Sequence, residues 1–200
     1  MVFDATEPNI DRNVFIKEDW SAVAYGKCIE ELPMNMPESR GSSMVMKAFV
    51  DSDHAGDMAT RRSRTGFIIF LNNSPICWFS KRQTSVETSS FGSEFVAMKL
   101  CCEYIRGLRY KLRMMGISVD ESTFVFGDNQ SVLANVSRPH SILKKKSSSI
   151  AYHFIREGVA KDEWRTTYLN THLNPSDMFT KSLPGGEKRT LFTSYFLHYL

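Results

Sequence analysis

Four carboxylates stand out by position rather than by number: Asp51, Glu94, Asp128 and Asp177. Asp51 closes the apolar run MVMKAFVDSD, Glu94 falls in the first turn of a long helical pattern, Asp128 ends STFVFGD, and Asp177 opens the last short helix of NPSDMFTKSL. A single Asp at a strand end is ordinarily a turn or cap residue. In an α/β sheet, however, strand ends and helix starts converge at one edge, and four acids gathered there repel one another until cations neutralise them. Oxygen-only ligands suit Mg²⁺ or Mn²⁺, and two such ions about 3.5–4 Å apart activate water and stabilise both oxygens of an in-line phosphodiester displacement. The chemistry implied is metal-dependent hydrolysis of a nucleic acid.

The elements that must position these acids are legible. MVMKAFVDSD reads as a buried strand, and GFIIFLNN with PICWFS as an antiparallel hairpin turning at Asn72, Asn73 and Ser74. Phe91, Phe95, Met98, Cys102, Ile105, Leu108, Leu112 and Met115 recur at helical spacing, with N-caps offered by Thr88 to Ser90 and a stop at Gly116. STFVFGD is a fourth strand, NQSVLANV and SSSIAYHFIREGV are helices, WRTTYLN is a fifth strand, and Asn174 is the expected cap of the last short helix. The order is βββαβαβα, an α/β fold with a five-stranded mixed sheet and flanking helices.

Composition agrees with a packed globular chain: 200 residues, 42% hydrophobic and 24% charged, enough for one domain plus a segment. No apolar run is long enough to cross a bilayer, and the N-terminus lacks a signal-peptide pattern, so the chain is expected to be soluble, unsecreted, and cytoplasmic or nuclear. Four cysteines without a framework spacing point to reduced thiols, and zinc is disfavoured because no C-x-x-C or H-x-x-x-H pairing occurs. Charge is uneven: residues 1–40 carry −4 and residues 41–200 carry +7. A Pro/Ser/Gly stretch around Pro33, Pro37 and Gly41 separates the two, giving an acidic lead-in (1–42), a main domain (43–186) and an apolar tail (187–200).

Basic clusters at Arg61, Arg62 and Arg64, at Lys81 and Arg82, and at Lys144, Lys145 and Lys146 are candidate phosphate contacts, since the positive excess lies on the domain that would hold a polyanion. Trp78, between Cys77 and Phe79 in a strand, reads as core, and so do His153, Met114 and Met115.

The stretch AFVDSDHAGDMATRRSRTGFIIFLNNSPICWFSKRQTSVETSSFGSEFVAMK, followed by FGDNQSVLANV, AYHFIREGV and THLNPSDMFTKSLPGG, resembles the ribonuclease H domain of copia-type retrotransposon polyproteins. The similarity runs from about Met44 to Gly186, and Trp20 to Gly41 resembles the connection from reverse transcriptase. The resemblance implies a ribonuclease H-like fold with Asp51, Glu94, Asp128 and Asp177 as catalytic metal ligands for two Mg²⁺ or Mn²⁺ ions. It also implies cleavage of the RNA strand of RNA:DNA hybrids, with the reverse transcriptase portion of the same polyprotein as partner. Ser93, Asn129 and Gln130 are placed to sense the 2′-hydroxyl, and His172 is a candidate for the accessory histidine near the last aspartate. Gly92 stands where many members carry a second glutamate, and Lys146 to Ile150 replace a K-H-I-D-I segment. Two other functions compete: an integrase or transposase nuclease, whose sites usually lack the D-x-x-T-K arrangement, and a non-catalytic module that grips hybrid or completes a reverse transcriptase.

Overall fold

A computed structural model describes residues 32, 34–138, 141–142, 146–182 and 185–196. Residues 1–31 of the acidic lead-in, with Lys144 and Lys145 of the basic cluster, lie outside the described residues. Strands β1 (Met46–Asp53), β2 (Arg64–Leu71) and β3 (Ser74–Arg82) open the domain, followed by helix α1 (Ser90–Met114) and strand β4 (Thr123–Gly127). Helices α2 (Gln130–Ser137) and α3 (Ser149–Ala160), strand β5 (Trp164–Tyr168), and helices α4 (Asp177–Thr180) and α5 (Glu187–Phe196) complete it. The sheet order is β3-β2-β1-β4-β5, antiparallel at β1–β2 and β2–β3 and parallel at β1–β4 and β4–β5. The expected five-stranded mixed sheet is therefore present, but the order βββαβαβα needs correction: two helices, α2 and α3, lie between β4 and β5, and two, α4 and α5, follow β5.

Local chemistry explains the turns. Asn72 takes a left-handed backbone (φ 53), and its side-chain oxygen accepts the Val45 N–H at 2.9 Å, fixing the hairpin against the start of β1. The Ser89 hydroxyl accepts the Gly92 N–H at 3.2 Å as the N-cap of α1, and Gly116 (φ 76) lets the chain leave the helix. One face of the sheet supplies Ala48, Val50, Phe67, Ile69 and Val125 to a core completed by Phe95, Met98, Cys102 and Ile105 of α1 and by Ile155 and Trp164. Each fully buried Val, Ile, Phe or Met among them contributes about 1.5–3 kcal/mol. The opposite face is met by α4 across β1, β2 and β3.

Three core expectations need correction. Trp78 is 64% exposed, because β3 is the edge strand and turns Cys77 and Phe79 toward the core while Ile76 and Trp78 face outward. His153 is exposed on α3, edge-on to the Tyr152 ring at 5.2 Å. Met114 and Met115 are exposed at the end of α1, while Leu112 and Arg113 before them are buried. In the segment from residue 187, read from the sequence as a tail, α5 buries Phe192 completely. None of the described helices is long and apolar enough to cross a membrane.

Candidate metal centre

Parallel pairing of β1 with β4 sets Phe49 opposite Phe126, so two residues further along each strand direction Asp51 and Asp128 come level at the same end of the sheet. Glu94, expected in the first turn of the helix, arrives from the second turn of α1, which starts at Ser90 and has no acid in its first turn. One carboxylate oxygen from each of Asp51, Glu94 and Asp128 lies within 4.8 Å of the others. Three acids so close, two half-buried and one fully buried, are a repulsive arrangement in the absence of a cation.

The electrostatics show that cost. Burial, opposed by the Thr180 hydroxyl and reinforced by the neighbouring Asp177 carboxylate, pushes the Asp51 carboxyl up to about 7. Burial, then the negative charges of Asp51 and Asp128, hold Glu94 well above the usual carboxylate range, while hydrogen bonds from Ser52 pull the other way. An all-carboxylate set in which Asp51 and Glu94 resist ionising fits a hard divalent cation, which would supply the missing positive charge.

Asp177 reaches the site from the other side. It lies outside the trio, fully buried beside Asp51, and its Oδ1 pairs with Lys181 Nζ at 3.1 Å. Lys181 Nζ is also 4.0 Å from Asp51 Oδ2. Burial alone would weaken the Lys181 ammonium, but the Asp51 and Asp177 charges outweigh it and raise its pKa. The Thr180 hydroxyl donates to Asp51 Oδ2, and the Thr171 hydroxyl donates to Asp128 Oδ2 at 2.9 Å.

Close contact between α4 and the sheet makes this possible. A Cβ at Gly66, the partner of Asp51 across β1–β2, would lie 2.6 Å from Thr180 Cγ2 and 3.0 Å from the Ser176 carbonyl. Asn174, expected as the cap of α4, instead spans sheet and turn: its Nδ2 donates to the Val50 carbonyl at 3.0 Å and its Oδ1 accepts the Ser176 N–H at 3.2 Å. Ser176 holds the N-cap position without a side-chain bond, since its hydroxyl donates to Asn174.

No protein-family model matches the chain. Its sequence is 31% identical over 144 residues to the retrovirus-related Pol polyprotein from transposon TNT 1-94 of Nicotiana tabacum, across 72% of this chain and 11% of that protein. It is 29% identical over 156 residues to the corresponding polyprotein from transposon RE1 of Arabidopsis thaliana, across 78% and 10%. The chain spans about a tenth of the length of these relatives. Among solved structures, the LC11 ribonuclease H1 in complex with RNA/DNA hybrid superposes with a TM-score of 0.53 and 12% identity, covering 68% of this chain and 93% of that one. The chain is a ribonuclease H-fold relative of retrotransposon Pol polyproteins.

Within this ribonuclease H-like domain the other expected site residues are spread unevenly. Ser93 is fully buried under the carboxylates, its hydroxyl donating to the Ser90 carbonyl and accepting from Ser52, each at 3.0 Å. Asn129 caps α2 by accepting the Ser131 and Val132 N–H groups at 3.1 and 3.2 Å, and Gln130 is exposed at the helix start. His172 is exposed, one residue from the Thr171 that binds Asp128. Arg61 is exposed and Arg62 half-buried in the loop after β1, Arg64 is exposed at the start of β2, and Lys146 is exposed before α3. Arg82 is tied to Asp57 at 2.5 Å.

Sequence reasoning gave no role to Ser52, Thr171, Thr180 or Lys181. Thr180 and Lys181 belong to the D-x-x-T-K arrangement already noted, so spacing alone offered a signal for them: residues three and four after Asp177 return to the same helix face. Thr171 and Ser52 carry no such signal.

Proposed function

We infer that this chain is the ribonuclease H portion of a retrotransposon Pol polyprotein, cutting the RNA strand of RNA:DNA hybrids with two divalent ions. The observation that carries the reading is the Asp51, Glu94 and Asp128 trio, its ligand oxygens within 4.8 Å of one another, at the strand ends of a ribonuclease H fold. Asp51, Glu94 and Asp128 would hold one Mg²⁺ or Mn²⁺, and Asp51 with Asp177 would share the second. Such ions lower the pKa of an attacking water and stabilise the leaving 3′ oxygen, giving 5′-phosphate and 3′-hydroxyl ends.

The chain's own residues orient the acids for that task. Thr180 and Thr171 each aim a hydroxyl at one carboxylate oxygen, leaving the second oxygen of Asp51 and of Asp128 for a ligand. Ser52, hydrogen-bonded to Ser93, fixes the approach of Glu94. Asn129 and Gln130, beside Asp128, are the groups nearest in sequence to sense a 2′-hydroxyl, with His172 as an accessory group for product release. Residues 43–186 form the nuclease domain in this reading. Residues 1–42 form the link to reverse transcriptase, and the activity belongs to a cytoplasmic or nuclear replication complex.

The test is incubation of the chain with a labelled RNA:DNA hybrid, matched single-stranded RNA and double-stranded RNA, with Mg²⁺, Mn²⁺ or EDTA. Cleavage confined to the hybrid RNA strand and dependent on metal is expected. Tight, salt-sensitive hybrid binding without cleavage under any metal would instead establish a non-catalytic gripping module.

A further inference from the structure

A second cleft, of about 640 Å³, opens between the β2–β3 strands and helices α4 and α5. Arg64, Lys181 and Arg189 line it together with the hydroxyls of Ser80 and Thr193, and none of the described lining residues is acidic. Arg64 and Arg189 have no carboxylate partner among the described residues, in contrast to Arg82, Arg106 and Arg165, which do. Two guanidiniums with no ion-pair partner among the described residues, beside an ammonium, make a seat for an anion rather than for a neutral or cationic ligand.

The seat is built rather than incidental. Arg64 Nη1 donates to Ser80 Oγ at 3.3 Å, and Ser80 Oγ donates to the Phe179 carbonyl at 2.5 Å, so the arginine is braced against α4. The same short helix carries Thr180 and leads into Lys181, which also contact Asp51 and Asp177. One wall of the cleft is therefore shared with the carboxylate site. A smaller recess on the far side of Arg64 is lined by Asp53 and Asp57 as well as Arg62 and Arg82, and lacks this one-sided charge.

We propose that this cleft holds a backbone phosphate of the polynucleotide whose neighbouring phosphodiester lies at the carboxylates, with Arg64, Lys181 and Arg189 as its ligands. The proposal rests on the nucleic-acid reading above and adds to it a strand path across α4 toward α5. Lys181 would serve both sites: in the metal-free chain it neutralises Asp177, and its exposed position lets the ammonium turn to the cleft when a divalent ion takes its place beside Asp51 and Asp177.

The experiment uses the full chain and a fluorescent hybrid in EDTA, read by anisotropy across a salt series, with Arg189→Gln and Arg64→Gln as separate variants. Both side chains are exposed, and neither belongs to the carboxylate site. Each variant is expected to bind about 3- to 10-fold more weakly near 0.1 M salt and to lose about 0.9 from the slope of log K against log salt. Unchanged slopes in both variants would overturn the proposal. A seat for free phosphate instead of a diester would show as stabilisation by inorganic phosphate that both variants lose while hybrid slopes stay unchanged, and that too overturns it. Cleavage by the unaltered chain in Mg²⁺ is scored separately: intact cleavage with unchanged slopes sinks only the cleft, whereas absent cleavage with flattened slopes sinks only the nuclease.

Discussion

Replacing Asp51 by Asn should stabilise the metal-free protein above neutral pH, which is the reverse of what removing a buried, hydrogen-bonded side chain ordinarily does. Asp51 is 2% exposed, and its carboxyl stands at about 7 against an ordinary value of 3.8. Between those values the folded chain keeps a proton that the unfolded chain has lost, so stability falls as pH rises through the interval. That difference corresponds to about 4 kcal/mol at the upper limit, and loss of the Thr180 hydrogen bond and of attraction to Lys181 offsets part of it. A net gain of about 1–3 kcal/mol near pH 8 remains, or roughly 2–12 °C in Tm for a domain of this size. Thermal melts of both proteins in EDTA, near pH 5 and pH 8, read this directly. The wild-type Tm should fall more steeply with pH than that of Asp51→Asn, and saturating Mn²⁺ should raise only the wild-type value strongly. Parallel pH profiles, with the variant less stable at both, would refute the claim that Asp51 is held there against its own charge.

Other expectations follow from the same geometry. Lys181→Met removes the cation beside the fully buried Asp177 and should lower stability in EDTA by about 1–3 kcal/mol, with Mn²⁺ restoring more than it adds to wild type; melts with and without the ion decide this. Gly66→Ala places a methyl 2.6 Å from Thr180 Cγ2, and by overpacking should cost about 1–3 kcal/mol and reduce hybrid cleavage more than hybrid binding, because α4 moves off β2. Thr171→Val should leave stability within about 1 kcal/mol yet weaken Mn²⁺ binding in calorimetric titration, since Asp128 loses the hydroxyl that orients it. Apparent Mn²⁺ affinity of the unaltered chain should rise with pH between about 5 and 8, because binding must displace protons from Asp51 and Glu94, whose pKa values are raised; a flat profile would contradict those shifts.

Much of this fold was readable because its strong signals are local. The helical repeat from Phe91, the Asn72–Asn73 turn and the Ser89 cap depend on residues close in sequence, and α1 and the hairpin follow from them. The candidate site was readable through its acids, since strand ends and helix starts place them at one edge. Trp78 departs from its expected core place because residue type cannot tell a central strand from an edge strand; that depends on β3 having no neighbour beyond it among the described residues. Thr171 and Asn174 were missed or misassigned for a related reason. Their partners, Asp128 and Val50, lie 43 and 124 residues away, and contacts at that range are set by the whole fold rather than by any local pattern.

These acids should take up divalent ions when the chain holds a hybrid. Crystals of the Asp128→Asn chain with hybrid would slow cleavage but spoil the trio, so the most direct measurement uses the unaltered chain with a non-hydrolysable hybrid and Mn²⁺, locating the metal by anomalous scattering. Two peaks are expected, one among Asp51, Glu94 and Asp128 and one between Asp51 and Asp177, with Lys181 displaced from Asp177. An empty trio, with the Lys181–Asp177 pair intact beside a bound hybrid, would contradict it.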